Sequence, residues 1–323
     1  MAPVDRRVRV WSWMVRHQGS IASLSEADVI KLQARHTPSN ALANRIFGTV
    51  APGTVVNDRT IPGPAGDLPV RIYRPGRAGS GTRPLIVNFH GGGFVLGDLR
   101  LGDWVCSQVA LTVGAVVVSV DYRLAPGHRF PAAVDDCYAA VAWAAENAAS
   151  LDADGPTGVM GESAGGNLSA VVCLLARDRG GPAIGHQALL YPATDMTAIP
   201  TAAANTLIIS EPEMRAYRRH YLGDADPRDS RASPLLAGDH SGLPPALIQV
   251  AEHDPLRDDG ARYAAALRAA GVPVRFTEYV GMPHGYLNFP GLCRSAPQAL
   301  AELCTEQRAA LVEPATAVPG AAG

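Results

Sequence analysis

The chain has 323 residues, nearly half of them apolar, and a formal net charge of -2. This composition is typical of a globular enzyme with one large domain or two ordinary ones. Since no basic cluster is present, the sequence predicts no nucleic-acid partner. No stretch approaches the roughly 20 apolar residues that cross a bilayer. The apolar stretch at 10–15 is too short for a signal-peptide core, so we expect no integral membrane association.

The five cysteines are odd in number, widely scattered and free of C-x-x-C spacing. Neither a disulfide framework nor a zinc site is therefore predicted, and we expect no metal and no cofactor. Reduced cysteines are typical of a cytoplasmic protein, which is the location that we expect.

Residues 1–50 show the pattern of helices and carry no catalytic motif. Ser25 precedes Glu26 and Asp28, an arrangement typical of a helix N-terminus. We expect this segment to be helical and separate from a catalytic domain at 51–313.

From residue 70 onward, short β-branched runs alternate with helical patterns. Strands are predicted at 70–73, 85–89, 115–120, 158–160, 187–191, 246–250 and 274–279. Helices are predicted at 132–149, 166–177, 258–270 and 297–311. Such alternation indicates an α/β fold with a mostly parallel sheet covered on both faces.

The alternation lapses at 195–242, where a helix at 211–221 is flanked by several prolines. The segment is too long for a simple connection, so we interpret it as a cap insertion above the carboxyl ends of the strands. The alternative is a surface elaboration without a role. The tail at 314–323 consists of small residues and proline and is predicted to be disordered.

The pentapeptide at 161–165 has the form G-x-S-x-G, with Ser163 at its centre. It follows an apolar run and precedes a helical one, which is the context of a nucleophile elbow. Alone the motif is weak, because glycine is frequent in this chain. The HGGGF motif at 90–94 and the PHG motif at 283–285 strengthen it. Together the three motifs predict a serine hydrolase.

A serine nucleophile needs a base and an acid that orients the base. In α/β-hydrolases the acid and the histidine follow the serine in that order. His284 is the histidine that follows a predicted strand near the end of the chain. The other histidines after Ser163 are less suitable: His186 precedes a strand, His220 and His240 are expected to be solvated, and His253 leaves little room for an acid.

Asp254 is the acid that the pattern favours, because it lies just past the strand at 246–250. A carboxylate at the carboxyl end of a strand faces the crevice where ligands bind in open α/β sheets. Glu252 and Asp258 remain as alternatives.

The tetrahedral intermediate of ester hydrolysis needs N–H donors for its oxyanion. Ala164 supplies one amide, directly after the nucleophile. Gly91, Gly92 and Gly93 supply others from the loop after the strand at 85–89. We expect His90 to fix this loop by hydrogen bonding rather than to act as a second base.

These motifs, together with DYRLAP at 121–126, LYP at 190–192 and DPL at 254–256, resemble the hormone-sensitive lipase family, bacterial esterase family IV. The resemblance runs from about residue 70 to 310. It implies an α/β-hydrolase fold, a triad of Ser163, Asp254 and His284, oxyanion amides of Gly92, Gly93 and Ala164, and a helical cap formed by residues 1–50.

Two positions depart from the family pattern. Gly127 stands where an acidic residue is usual, and Glu162 stands where aspartate or threonine is commoner. We expect neither residue to touch the chemistry directly.

The motifs and the resemblance predict a carboxylesterase that cleaves short- to medium-chain esters through an acyl-enzyme. An amidase, a lactonase or a deacetylase with the same triad remains an alternative. A small-ligand receptor on this scaffold is the third interpretation, but the presence of His284 argues against it. A homodimer is compatible with the sequence.

Overall fold

The computed structural model describes residues 2–17, 20–35, 37–77, 82–199 and 208–313. The predicted disorder of 314–323 lies outside these residues, as does the stretch 200–207 of the expected cap insertion. In the described part of the chain, no helix is both long enough and apolar enough to span a membrane.

Eight strands of the described residues form one sheet in the order β1-β2-β4-β3-β5-β6-β7-β8. The strands are β1 Thr54–Gly63, β2 Gly66–Pro75, β3 Leu85–Phe89, β4 Val116–Val120, β5 Thr157–Glu162, β6 Ile184–Leu190, β7 Ala246–His253 and β8 Val274–Pro283. Strands β3 to β8 run parallel to one another. Strand β2 pairs antiparallel with β4, and β1 pairs antiparallel with β2. The predicted mostly parallel sheet is confirmed.

Nine α-helices accompany the sheet in the described ranges. They are α1 Arg6–His17, α2 Glu26–Gln33, α3 Ala41–Phe47, α4 Asp103–Val109, α5 Ala132–Glu146, α6 Ala164–Asp178, α7 Glu211–Leu222, α8 Arg257–Ala269 and α9 Ala296–Leu311. Helix α2 begins as predicted, because the Ser25 side chain accepts the backbone N–H of Asp28 at 3.2 Å.

The two faces of the sheet are buried in two hydrophobic clusters. Along β3, Val87 and Phe89 belong to the cluster that α5, α6 and α8 cover, whereas Ile86 belongs to the cluster under α4 and α9. This alternation follows from the two-residue period of a strand. The helices therefore lie on both faces, as an α/β-hydrolase fold requires.

Strand β1 and helix α4 were not predicted from the sequence. Most of β1 is exposed, and its central residues Asp58 and Arg59 are charged, so it lacks the apolar run of a buried strand. Its pairing with β2 through a short turn between Gly63 and Gly66 accounts for its strand conformation.

Substituting Val87 by alanine tests how far the central strand supports the fold. Val87 is fully buried in β3, so losing its methyl groups is expected to lower the free energy of unfolding by about 2 to 3 kcal/mol. Val55 on the edge strand β1 is 46% exposed, and V55A is the matched control, with an expected change within about 0.5 kcal/mol. Urea unfolding of both variants measures the difference; equal values would contradict the assignment of β3 as the central core strand.

Candidate active site

Ser163 lies in a sharp turn between strand β5 and helix α6. Its backbone has φ 55° and ψ -114°, a conformation that residues with side chains rarely adopt. The turn requires glycine on both sides. A Cβ on Gly161 would lie 2.2 Å from the carbonyl oxygen of Gly165, and a Cβ on Gly165 would lie 1.9 Å from that of Phe89. The predicted nucleophile elbow is thus present in the backbone.

Ser163, His284 and Asp254 form a continuous hydrogen-bonded chain. His284 Nε2 lies 2.9 Å from Ser163 Oγ, and His284 Nδ1 lies 2.7 Å from Asp254 Oδ2. The three residues follow the carboxyl ends of β5, β8 and β7, which meet at one edge of the parallel sheet. With Nδ1–H donated to the carboxylate, Nε2 is free to accept the serine proton.

The alternative acids are engaged elsewhere. Glu252 accepts the backbone N–H groups of Gly281 and Ala2, at 2.8 and 2.9 Å. The side chain of Asp258 is 81% exposed in the first turn of α8. Asp254 is therefore the carboxylate that the fold brings to His284.

Three other histidines differ from the sequence-based expectations. His186 lies within β6 rather than before it, and burial lowers its pKa to about 4. His220 and His240 are buried rather than solvated, because α7 and the segment after it pack against the body of the protein. His253 lies at the end of β7, with Nε2 2.8 Å from the carbonyl oxygen of Ala2.

The glycine loop after β3 packs directly against Ser163. Gly92 and Gly93 have φ of 123° and 63°, and a Cβ on Gly91 would lie 3.5 Å from Ser163 Cβ. Ala164 is the first residue of α6, so its backbone N–H has no acceptor within the helix. The amides expected to hold the oxyanion thus come from two segments that meet at Ser163.

His90 is fully buried beneath this loop. Its Nδ1 lies 2.7 Å from the carbonyl oxygen of Gly91, and its ring stacks on that of Tyr122 with centroids 4.3 Å apart. Tyr122 Oη also donates to the His90 carbonyl at 2.7 Å. Burial holds the pKa of His90 below its usual range, which favours the neutral ring. These contacts are those of a residue that supports the loop.

An apolar pocket with a cavity volume of about 60 Å³, partly open to solvent, lies above Ser163. Most of its wall comes from the segment after β6 and from α7. The residues that line it include Phe94, Ala193, Met196, Ala198, Ile199, Ile209, Met214, Tyr217, Tyr221 and Leu256. Tyr217 lies over Gly93, where a Cβ would approach its ring to 2.4 Å. The pocket can take an apolar acyl or alcohol group beside the serine.

The sequence analysis assigned no role in this site to Tyr191 or Glu162. Tyr191 Oη donates to the Glu162 carboxylate at 2.7 Å, and the Tyr191 ring packs edge-on against His284 with centroids 5.2 Å apart. Both residues stand in motifs that the sequence displays, but their contact depends on how far side chains reach between loops.

Among the described residues, no cluster of histidine, cysteine and carboxylate side chains could hold a metal ion.

Gly165→Ala tests the close approach of α6 to β3. Its Cβ would overlap the Phe89 carbonyl oxygen, so backbone must shift, and we expect the variant to lose more than about 3 kcal/mol of stability or to fail to fold. Gly238→Ala is the control, since a Cβ there meets nothing within 4 Å. Thermal melts compare the two; a Gly165→Ala protein as stable as Gly238→Ala would contradict the close packing.

Comparisons with known proteins agree with this geometry. A family model described as alpha/beta hydrolase fold matches residues 86–288. The chain is 47% identical over 267 residues to carboxylic ester hydrolase LipN of Mycobacterium tuberculosis, covering 79% of this chain and 70% of that protein. It is 46% identical over 242 residues to carboxylesterase NlhH of the same organism, covering 72% and 75% respectively.

Among solved structures, a hyperthermophilic esterase from the archaeon Pyrobaculum calidifontis superposes with a TM-score of 0.87 at 37% identity, covering 95% of this chain and 99% of that chain. On the sequence motifs, the fold and these similarities, the chain belongs to the hormone-sensitive lipase-like family IV of the α/β-hydrolase fold.

Proposed function

We propose that this protein is a serine carboxylesterase that hydrolyses short- to medium-chain carboxylic esters through an acyl-enzyme. The observation that carries the proposal is the hydrogen-bonded chain from Asp254 through His284 to Ser163, beside an apolar pocket. The relatives named carboxylic ester hydrolase and carboxylesterase support an ester rather than an amide or a lactone as substrate.

The proposed reaction has two halves. Ser163 Oγ attacks the ester carbonyl carbon while His284 Nε2 takes the hydroxyl proton, and the tetrahedral intermediate then expels the alcohol, which receives that proton. In the second half His284 takes a proton from water, whose oxygen attacks the acyl-enzyme carbonyl. Ser163 leaves with the proton, and the carboxylic acid is released. Asp254 holds the imidazole and stabilises its protonated form.

The amides of Gly92, Gly93 and Ala164 are proposed to bind the oxyanion in both halves. Losing one such donor typically costs about 10²- to 10³-fold in rate. The two glycines allow the positive φ angles that the loop needs, and the contact of the buried His90 ring with the Gly91 carbonyl oxygen fixes the loop before substrate binds. Gly91 is assigned a supporting role in the same loop.

Residues 1–50 and 195–242 are proposed to form a cap over the pocket. Helix α7 packs against the short turn Ile21–Ser23, and Glu26 forms an ion pair with Arg129. The Gln33 side chain donates to the carbonyl oxygens of Val95 and Ala125, each at 2.7 Å. These contacts connect the N-terminal helices to the loop that follows the oxyanion glycines.

A cytoplasmic location is proposed from the five cysteines, all of which are free and buried.

A homodimer is proposed because β8 forms one edge of the sheet and exposes Val280, which a second copy would cover. Size-exclusion chromatography with light scattering measures the mass, which should be twice the 33.8 kDa of one chain; a mass of one chain would contradict the dimer.

The triad assignment is tested by Ser163→Ala, His284→Ala and Asp254→Asn. We expect kcat on p-nitrophenyl butyrate to fall by about 10⁶-fold for the first two and about 10⁴-fold for the third, because the acid orients the base but does not transfer the proton. Glu252→Gln is the control and is expected to stay within tenfold of wild type. A Glu252→Gln defect larger than that of Asp254→Asn would show that the acid is misassigned.

The covered pocket predicts a chain-length preference. We expect kcat/KM on p-nitrophenyl esters to be highest for acyl chains of about two to eight carbons, with each methylene that fits adding at most about 0.8 kcal/mol. Deleting residues 1–40 should expose apolar surface, lower solubility and flatten this profile. An unchanged profile in the truncated protein, or a preference of the intact protein for emulsified triglycerides, would contradict the proposed cap.

A further inference from the structure

Glu162, the residue before the nucleophile, buries its carboxylate at the junction of the loops that build the active site. Its side chain is only 6% exposed. Tyr191 Oη donates to Oε2 at 2.7 Å. The backbone N–H of Gly91 and the side-chain amide of Asn288 also face the carboxylate and lower its pKa. A buried carboxylate that faces three neutral donors, and that forms no ion pair with a basic side chain among the described residues, is an unusual choice for a structural position.

The three donors belong to three different segments. Gly91 opens the glycine loop that packs on Ser163, and Asn288 ends the short helix Tyr286–Asn288, which follows His284. Tyr191 follows β6, and its ring packs edge-on against the imidazole of His284. Glu162 thus lies between the glycine loop and the loop that carries His284, and it is hydrogen-bonded to the tyrosine whose ring flanks His284.

The chemistry of the side chain suits this arrangement. An ionised carboxylate has two acceptor oxygens and no donor, so it can satisfy all three donors together. Gly91 and Glu162 are also close neighbours, because a Cβ on Gly91 would lie 3.4 Å from Glu162 Cγ. Glutamine at this position would keep the shape but offer only one acceptor oxygen, and its NH₂ group would face donors.

We propose that Glu162 is a positioning residue for ester hydrolysis, which aligns the oxyanion amides and the His284 ring by accepting hydrogen bonds from Gly91, Asn288 and Tyr191. The inference rests on the proposed esterase function. Glu162 would affect mainly the transition state, because the oxyanion amides and the protonated imidazole stabilise that state most.

The ionisation of Glu162 gives this role a signature in the pH profile. Burial raises the pKa of Glu162 to about 7, while the hydrogen bonds from its partners and the nearby His284 oppose that rise. The other titratable groups that interact with the carboxylate are Tyr191, Tyr122 and Cys106. Below pH 7 the protonated carboxyl would lose acceptor capacity and loosen the loops.

The sign of the linked stability effect is the opposite of that on activity. Because the folded-state pKa of Glu162 lies above its ordinary value of 4.5, the folded protein binds a proton that the unfolded chain releases in this interval. The stabilisation from this proton is complete below pH 4.5 and is lost as the pH rises through about 7. Activity should rise over the same interval.

The experiment compares Glu162→Gln, Tyr191→Phe and Glu302→Gln with wild type and Ser163→Ala on p-nitrophenyl acetate. We expect Glu162→Gln to lower kcat by about 10- to 100-fold with KM within threefold, the scale of a misplaced donor. Tyr191→Phe, which keeps the ring, should lower kcat by about three- to tenfold. Glu302→Gln is the matched control, because Glu302 accepts Tyr279 Oη at 2.8 Å away from Ser163, and kcat should stay within threefold.

The pH profile separates positioning from a general loss of stability. In wild type, the acid limb of log(kcat/KM) should have a slope steeper than one, because His284 must be neutral and Glu162 ionised. In Glu162→Gln the slope should return to one. If Glu162→Gln fails to fold, Tyr191→Phe replaces it, and the kcat of Tyr191→Phe is the deciding measurement.

Three outcomes would overturn the inference. The first is wild-type kcat in Glu162→Gln or, where that variant does not fold, in Tyr191→Phe. The second is an equal loss in Glu302→Gln, which would indicate a general packing effect. In both cases, activity of wild type together with inactivity of Ser163→Ala would still support the proposed esterase function. The third is a wild type that neither hydrolyses the ester nor is labelled by a fluorophosphonate, which would overturn both proposals.

Discussion

Helix α6 begins so close to the end of strand β3 that only a glycine fits between them. A Cβ on Gly165 would lie 1.9 Å from the Phe89 carbonyl oxygen, and 2.7 Å from that of His90. This contact joins the two segments that must cooperate, because β3 leads into the glycine loop and α6 begins with Ala164. The distance between Ser163 and the proposed oxyanion amides is therefore set by backbone packing and not by side chains.

Buried carboxylates around the pocket perform different tasks according to their partners. Asp254 faces His284, whereas Glu162 faces uncharged donors. Asp259 accepts the backbone N–H groups of Thr194 and Asp195 at 3.1 and 3.2 Å and bonds to Arg262, which holds the segment that enters the pocket wall. Burial raises the pKa of Asp259 to about 6, despite these bonds. Each charge is buried only where donors converge on it.

The sequence was sufficient to predict that Ser163, Asp254 and His284 lie close together. Each follows a recognisable strand, and a parallel sheet gathers the carboxyl ends of its strands at one edge. The burial of His220 and His240 could not be predicted, since it depends on where α7 docks. The three-way contact of Glu162 was also invisible, because it depends on the reach of one side chain between loops that are distant in sequence.

Strain is concentrated where the proposed chemistry occurs. In the described part of the chain, four residues other than glycine have positive φ, and three of them, Ser163, Tyr191 and Phe94, border the pocket or the triad. Such conformations cost on the order of 1–3 kcal/mol each and persist only when surrounding structure imposes them.

The sheet itself imposes these conformations. Ser163 N–H donates to the Leu190 carbonyl at 2.8 Å, and Tyr191 N–H donates to that of Gln249 at 2.6 Å, so the hydrogen-bond ladder continues from strand to strand into the site. Ser163 and the Tyr191 ring beside His284 are thereby held by the same kind of backbone hydrogen bond that joins the parallel strands. Because their geometry is part of the ladder, substrate binding need not create it, and the free energy of binding remains available for the transition state.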